Sequence, residues 1–287
     1  MVHRRGHSSI HPSAARCRES GDSGRGHRAG PEQPPRVRGS RAAAACLPGG
    51  EISEAIRAIT PRDQPGDTVS GRKGRTLAIV QARTSSSRLP GKVLKPLEGQ
   101  PMILRQLERI ARATTIDEIV VATSDHADDD ELAELLRTHN LEVIRGPLND
   151  VLHRFVLAID AYQPDVVVRL TADCPLISPT VIDQVVDAFH DSDADYLSNT
   201  MEPTYPDGLD VEVVAAGALR AIDNTTTDQD EREHVTLGVY RRTDTFTIEN
   251  FRDPSGADHS DLRWTVDNAG DFAFVEAIYR SLYERDP

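Results

Sequence analysis

Cysteine, lysine, aromatic residues and long apolar runs are all in short supply in this chain. Its three cysteines, Cys17, Cys46 and Cys174, show no metal-ligand spacing, so neither a zinc site nor a disulfide framework is indicated. No apolar run approaches the ~20 residues that cross a bilayer, which predicts a soluble protein with the cytoplasm as its default compartment. The motifs GxxxxGKS/T and GxGxxG are absent, so neither a P-loop nor a dinucleotide fingerprint applies.

Hydrophobic residues make up 38% of the 287, and the deficit is uneven. Residues 1–75 hold 14 of the 33 basic side chains and 7 of the 46 acidic ones, leaving 19 basic and 39 acidic over the remaining 212. The charge balance is therefore +7 followed by −20. The first stretch is rich in Arg, Gly, Ser and Pro, has no hydrophobic period, and buries too little apolar surface to offset ordering. Residues 1–75 are expected to be a disordered basic extension. An arm for nucleic acid and a targeting peptide are the functional alternatives, although AAAACLP is too short for a signal core. A non-native extension from an upstream start is the plainer expectation. The acidic remainder repels phosphate backbones and argues against nucleic acid as the main partner. Asp-rich runs such as DHADDDELAELL and DQDERE, with few lysines, point to a halophile-like cytoplasm, where ~1 M salt screens repulsion within about 3 Å.

From Thr76 the pattern becomes regular. TLAIVQA, EIVVATS (118–124), LEVIRG and DVVVRLTAD (165–173) are short apolar, β-branched runs, the kind that form strands covered on both faces. Between them lie segments with apolar residues at helical spacing: PMILRQLERIARAT, DDDELAELLRTHN, NDVLHRFVLAIDAY and SPTVIDQVVDAFHD. Asn149 or Asp150 opens the third, and Ser178 with Pro179 caps the fourth. Strand–helix alternation predicts an α/β fold with a mostly parallel sheet and helices on both faces. Further strands are expected at DYLSN, DVEVV, FTIENF and LRWTVDN, with helices at AAGALRAIDN, EREHVTLGVYRR and the closing GDFAFVEAIYRSLYER. Residues 200–245 read as an insert within one domain spanning 76–287.

In such sheets ligands bind beyond the carboxyl ends of the strands. The loop QARTSSSRLPGK (81–92), the TSD of 123–125 and the TADCP of 171–175 should share that rim. The loop presents Arg83, Arg88 and Lys92, suited to gripping phosphate oxygens; a solvated turn whose arginines pair with local acids is the alternative. Asp173 either caps the following helix or offers a rim carboxylate, and Asp267 ends the late strand in the same way. Two such carboxylates facing phosphates would hold Mg²⁺. In PDGLDVEVV, Asp207-Gly208 signals a turn; either the turn is all there is, or Asp210 and Glu212, alternating along the strand, reach the hydroxyls of a bound substrate. His234 is a substrate contact or a partly buried helix histidine. Cys174 reads as a packing residue, and Trp264 as core.

These motifs carry a resemblance. QARTSSSRLPGKVLKPLEGQPMI, RLTADCPLISPTVID and LRWTVDNAGDF resemble ordered segments of the sugar cytidylyltransferases, the acylneuraminate and 3-deoxy-manno-octulosonate cytidylyltransferase superfamily. YPDGLDVEVV and EREHVT resemble more narrowly the branch of spore-coat polysaccharide biosynthesis protein F. The resemblance covers Thr76 to Arg285. It implies a Rossmann-like, three-layer α/β/α sandwich of the nucleotide-diphospho-sugar transferase type, and a homodimer. It implies that Arg83, Arg88 and Lys92 hold the phosphates of CTP, that Asp173 and Asp267 bind Mg²⁺, that Gln81 and Ala82 lie near the cytosine, and that Ser124 and Asp125 border the nucleotide. The chain departs from the family at Ser85, where many members carry Gly.

The implied reaction is in-line attack of a sugar hydroxyl on the α-phosphorus of CTP, with pyrophosphate leaving. Catalysis of this kind is mostly positioning and charge neutralisation. No residue is compelled as general base. A related glycosyltransferase would need Asp-x-Asp at a strand end, where this chain has Thr171-Ala172-Asp173; the DSDAD of 191–195 has the pattern but follows a helix. A nucleotide-binding subunit without turnover is the third alternative.

Overall fold

The structure, a computed structural model, describes residues 74–283. The disorder expected of residues 1–75 concerns a segment that lies, but for its last two residues, outside the described residues. Among the described residues nine strands form in chain order: β1 (Thr76–Gln81), β2 (Pro96–Leu97), β3 (Gln100–Pro101), β4 (Glu118–Ser124), β5 (Glu142–Gly146), β6 (Val166–Thr171), β7 (Tyr196–Ser198), β8 (Glu212–Ala215) and β9 (Ile248–Asn250). Seven make one sheet in the order β5-β4-β1-β6-β8-β7-β9, and β2 with β3 forms a small separate hairpin. β1 is parallel to β4 and β6, and β4 to β5; β8 runs antiparallel to both its neighbours. The mostly parallel α/β sheet read from the alternation is present.

The faces of the sheet separate by strict two-residue alternation. Ala78, Val80, Val121, Val168, Leu170 and Val213 pack under α1 (Met102–Ile110), α2 (Asp130–Thr138), α4 (Pro179–Asp191) and α8 (Ala269–Leu282). Leu77, Ile79, Val120, Ala122, Val167 and Val214 pack under α3 (Val151–Tyr162), α5 (Ala216–Thr225) and α7 (Leu237–Tyr240). Three layers result. Because β1 and β6 are covered on both sides, their side chains are almost wholly apolar, as their sequences require. The caps fall where expected: the Ser178 hydroxyl accepts from Val181 N with Pro179 at the first helical position, and the Asp150 carboxylate accepts from His153 N at 3.0 Å.

Two expectations are corrected. LRWTVDN adds no strand to the sheet and makes only a bridge between Asp207 and Arg263. The edge of β6 that it would need is already occupied by β8, so the segment instead crosses the carboxyl ends of the strands. EREHVTLGVYRR is not one helix but two short ones, α6 (Gln229–Glu233) and α7. The break holds Val235, fully buried at φ 23°, and Thr236, whose hydroxyl donates to Glu212. Burying Val235 and bonding Thr236 outweigh helix continuity there.

Candidate active site

The chain leaves β1 toward β4 on one side and later returns to β6 on the other, so the carboxyl ends of β1 and β6 flank a crevice. The polar loop after β1 is anchored at its start. Thr84 N and its hydroxyl both donate to Asp129 Oδ1, at 2.7 and 2.8 Å, and the hydroxyl also reaches Asp128 O. The loop closes where Gly91 N donates to Thr84 O at 2.9 Å. Gly91 has φ 67°, a left-handed conformation that glycine adopts without the steric cost of a Cβ. It leads into a 3-10 turn, Lys92–Leu94, that turns Lys92 inward.

There Lys92 meets two carboxylates from distant parts of the chain. Its ammonium donates to Val266 O at 2.7 Å and lies 3.2 Å from Asp173 Oδ2 and 3.4 Å from Asp267 Oδ1. The crossing segment is stitched to the end of β6, since Val266 N donates to Asp173 O at 2.8 Å. Asp267 is set by the start of α8. Asn268 caps that helix, and Asp271 accepts from the backbone N–H groups of Asp267 and Asn268 at 2.8 and 3.0 Å. Arg88 lies 2.9 Å from Asp267 Oδ1 with its side chain 66% exposed. Arg263 ties Asp207, Asp267 and Asp271 together. Gly208 allows the PDG turn to press on this segment: a Cβ there would stand 2.7 Å from Thr265 N, and its φ is 109°.

Burial opposes ionisation of Asp173, but the Lys92 ammonium and hydrogen bonds, including one from Thr171, outweigh it and hold the carboxyl below its usual range. Among the described residues Asp210 has no cationic partner. Burial first, then Asp207 and Glu212, push its carboxyl up to about 6. Burial also pushes the Cys174 thiol well above its ordinary value, with Asp173 and Asp210 adding to the effect; it is a packing residue, as the sequence suggests.

The cytidylyltransferase family model matches residues 77–276. The spore coat polysaccharide biosynthesis protein SpsF of Bacillus subtilis is 34% identical over 214 residues, 73% of this chain and 88% of that protein. The chain belongs to the cytidylyltransferase family. A 3-deoxy-manno-octulosonate cytidylyltransferase of Hydrogenovibrio crunogenus is 35% identical over 42% of this chain and 49% of its own. The solved structure of a cytidylyltransferase from Leptospira borgpetersenii superposes with a TM-score of 0.69 at 29% identity, covering 73% of this chain and 88% of that one. The three-layer sandwich is the nucleotidyltransferase type that the resemblance implies.

Arg83 is exposed and, among the described residues, forms no ion pair; Ala82 is buried and its N–H donates to Ala122 O. Asp125, exposed at the end of β4, lines a cavity of about 650 Å³ with Asn149, Asp150, Thr227, Gln229 and Arg232. Ser124 faces inward, its hydroxyl bonded to Asp129. His234 is exposed at the end of α6, not partly buried, because its helix stops one residue earlier. Glu212 is only 9% exposed, and its carboxylate is taken up by Arg169, Tyr196 and Thr236. Trp264 is half-buried against the core. Ser85 has no positive φ, so its backbone does not call for glycine. The DSDAD run precedes β7, which is parallel to β1, and so lies at the opposite edge of the sheet.

Three positions that hold the site together are not among the expected residues. Asp129 is one of several acids in a run at a helix start. Arg263 is an exposed charge with no local mark of its role. Arg169 carried the clearest signal, the one charge inside the apolar run VVVRLT.

Proposed function

We propose that this cytidylyltransferase transfers CMP from CTP to a hydroxyl of a sugar or sugar acid, releasing pyrophosphate, for surface polysaccharide or glycan synthesis. The observation that carries the reading is the convergence of Lys92, Asp173 and Asp267 at the carboxyl edge of the sheet, beside Arg88.

Arg83, Arg88 and Lys92 would grip the phosphates, Arg83 with its whole donor set available and Arg88 by exchanging Asp267 for phosphate oxygens. Charge placed there would also stabilise the departing pyrophosphate. Asp173 and Asp267 suit Mg²⁺: two hard carboxylates already gather round one positive charge, and such an ion would draw its other ligands from phosphate and water. Among the described residues no cluster of three or more potential ligands closes a metal cage, which suits a site shared with substrate. When bound, the ion would supply charge neutralisation and make the α-phosphorus more electrophilic. Asp210 and His234 would bind the acceptor's hydroxyls, and the Asp210 carboxylate would take the proton from the attacking oxygen. Gln81, Ala82, Ser124 and Asp125 would line the nucleoside end.

The enzyme is read as a cytoplasmic homodimer. No helix among the described residues is long and apolar enough to cross a membrane. Met201, Leu262, Phe274 and Leu282 remain largely exposed, and light scattering on the purified protein tests whether a second copy covers them. The function is tested by pyrophosphate release with CTP, MgCl₂ and a panel of sugar acids, against UTP and UDP-sugars. CTP-dependent release with one acceptor is expected. Release with none, or UDP-sugar consumption instead, would refute the assignment.

A further inference from the structure

The carboxyl ends of β1 and β6 and the amino end of the antiparallel β8 carry a largely buried chain of polar groups on the α3/α5 side of the sheet. Arg169 stands across from Glu212 in the β6–β8 ladder, and Gln81 across from Thr171 in the β1–β6 ladder. Arg169 pairs with Glu212 and donates to Gln81 Oε1 at 3.2 Å. Glu212 is held in turn by the Tyr196 hydroxyl at 2.9 Å and by the Thr236 hydroxyl. Tyr196 and Thr236 are each 1% exposed. An ion pair so enclosed costs desolvation and gives little net stability, so its place at the rim asks for another reason.

The chemistry of the partners supplies one. A guanidinium has five donors and no acceptor, so only the oxygen of the Gln81 amide can face Arg169. The usual ambiguity between amide oxygen and nitrogen is thereby removed. The NH₂ of Gln81 is left as a donor-only group at the end of β1, and no acceptor among the described residues takes its hydrogens. It lies two residues before Arg83, at the rim where the nucleotide is placed above.

We propose that Glu212 and Arg169 form a relay that fixes Gln81 as a donor to N3 of cytosine, making Gln81 the residue that selects CTP over UTP. This rests on the assignment of the rim as a CTP site. Cytosine N3 carries a lone pair, whereas uracil N3 carries a hydrogen that would face the amide hydrogens. Arg169 and Glu212 are positioning residues, and Gln81 alone touches the base.

The test is the ratio of kcat/KM for CTP to that for UTP, measured by pyrophosphate release. Gln81→Glu keeps a partner for Arg169 but presents an acceptor, so the ratio should fall at least about tenfold with a gain for UTP. Gln81→Met should lower the ratio with no such gain. Glu212→Gln, or Arg169→Lys where that variant folds better, should lower the ratio while leaving inhibition by pyrophosphate, which reads the cationic loop, as in wild type. A Gln81→Glu enzyme with the wild-type ratio overturns the relay. So does a wild-type enzyme that uses both nucleotides equally, although the cytidylyl-transfer assignment then stands. A wild-type protein that neither binds nor turns over CTP removes that assignment, and the relay with it.

Discussion

The Lys92 ammonium lies 3.2 Å from the Asp173 carboxylate across 81 positions of sequence. It also reaches Val266 O and Asp267, so one side chain ties the β1 loop, the end of β6 and the crossing segment together. Lysine is otherwise represented only by Lys73 and Lys95. The ammonium occupies the position between the carboxylates where a metal ion would also bring positive charge. Lys92→Met should therefore lower turnover by about 10²-fold or more. It should also enlarge the rise in Tm on adding MgCl₂, because the internal competitor is gone. Equal Mg²⁺-dependent shifts in variant and wild type would contradict this.

Asp173→Asn and Asp267→Asn keep the shape of the side chains but remove the charge. Each should reduce metal-dependent pyrophosphate release by at least about 10²-fold while the circular dichroism spectrum stays native. Wild-type rates in either variant would end the metal assignment.

Asp210 predicts a pH effect with a definite sign. Its folded carboxyl titrates near 6 against an ordinary value of 3.8. Between about pH 4 and 6 the folded protein keeps a proton that the unfolded chain has lost. Stability attributable to this group therefore falls as pH rises through that window and is level above it. Asp210→Asn should stabilise the metal-free protein near pH 7 by roughly 2–3 kcal/mol and have little effect near pH 4. Urea melts at the two pH values decide; an equal difference at both would reject the account.

Gly208→Ala should destabilise the protein by about 1–3 kcal/mol. The new methyl would meet Thr265 N and the Trp264 carbonyl carbon at 2.7 and 2.8 Å. The segment bearing Asp267 would be displaced, so activity should fall further than Tm. Loss of Tm with unchanged kcat would show that the turn does not help set the site.

The acidity of the folded part predicts a salt response. The Tm should rise from dilute buffer to ~1 M KCl as surface repulsion is screened. A Tm that is highest in dilute buffer would remove the halophile-like reading.

Much of this architecture is legible in local sequence. The β1, β4, β5 and β6 runs are apolar and bounded by polar loops, and Ser178-Pro179 and Asp150 announce helix starts through local hydrogen bonds. The basic loop and Asp173 were readable because a strand end fixes where a loop emerges. Partnership between distant groups was less accessible. Nothing local distinguishes Asp129, which anchors the loop, from Asp128 or Asp130 beside it. LRWTVDN has strand-like residues, but its conformation is decided by β8, which already occupies the edge of β6. Glu212 alternates along its strand as a surface residue would, and only the fold brings Arg169, Tyr196 and Thr236 around it.

The crossing of residues 262–268 over the strand ends also governs when the enzyme comes into being. Thr76 to Asp173 can build four parallel strands and the basic loop, yet the Val266 carbonyl that receives Lys92 and the Asp267 carboxylate arrive 93 and 94 residues later. Until that strap is laid down and fastened by the Asn268–Asp271 cap, a chain emerging from the ribosome has the basic loop without the carboxylate and carbonyl that receive its lysine. On the proposed reading of the site, competence is thus withheld from every incomplete copy.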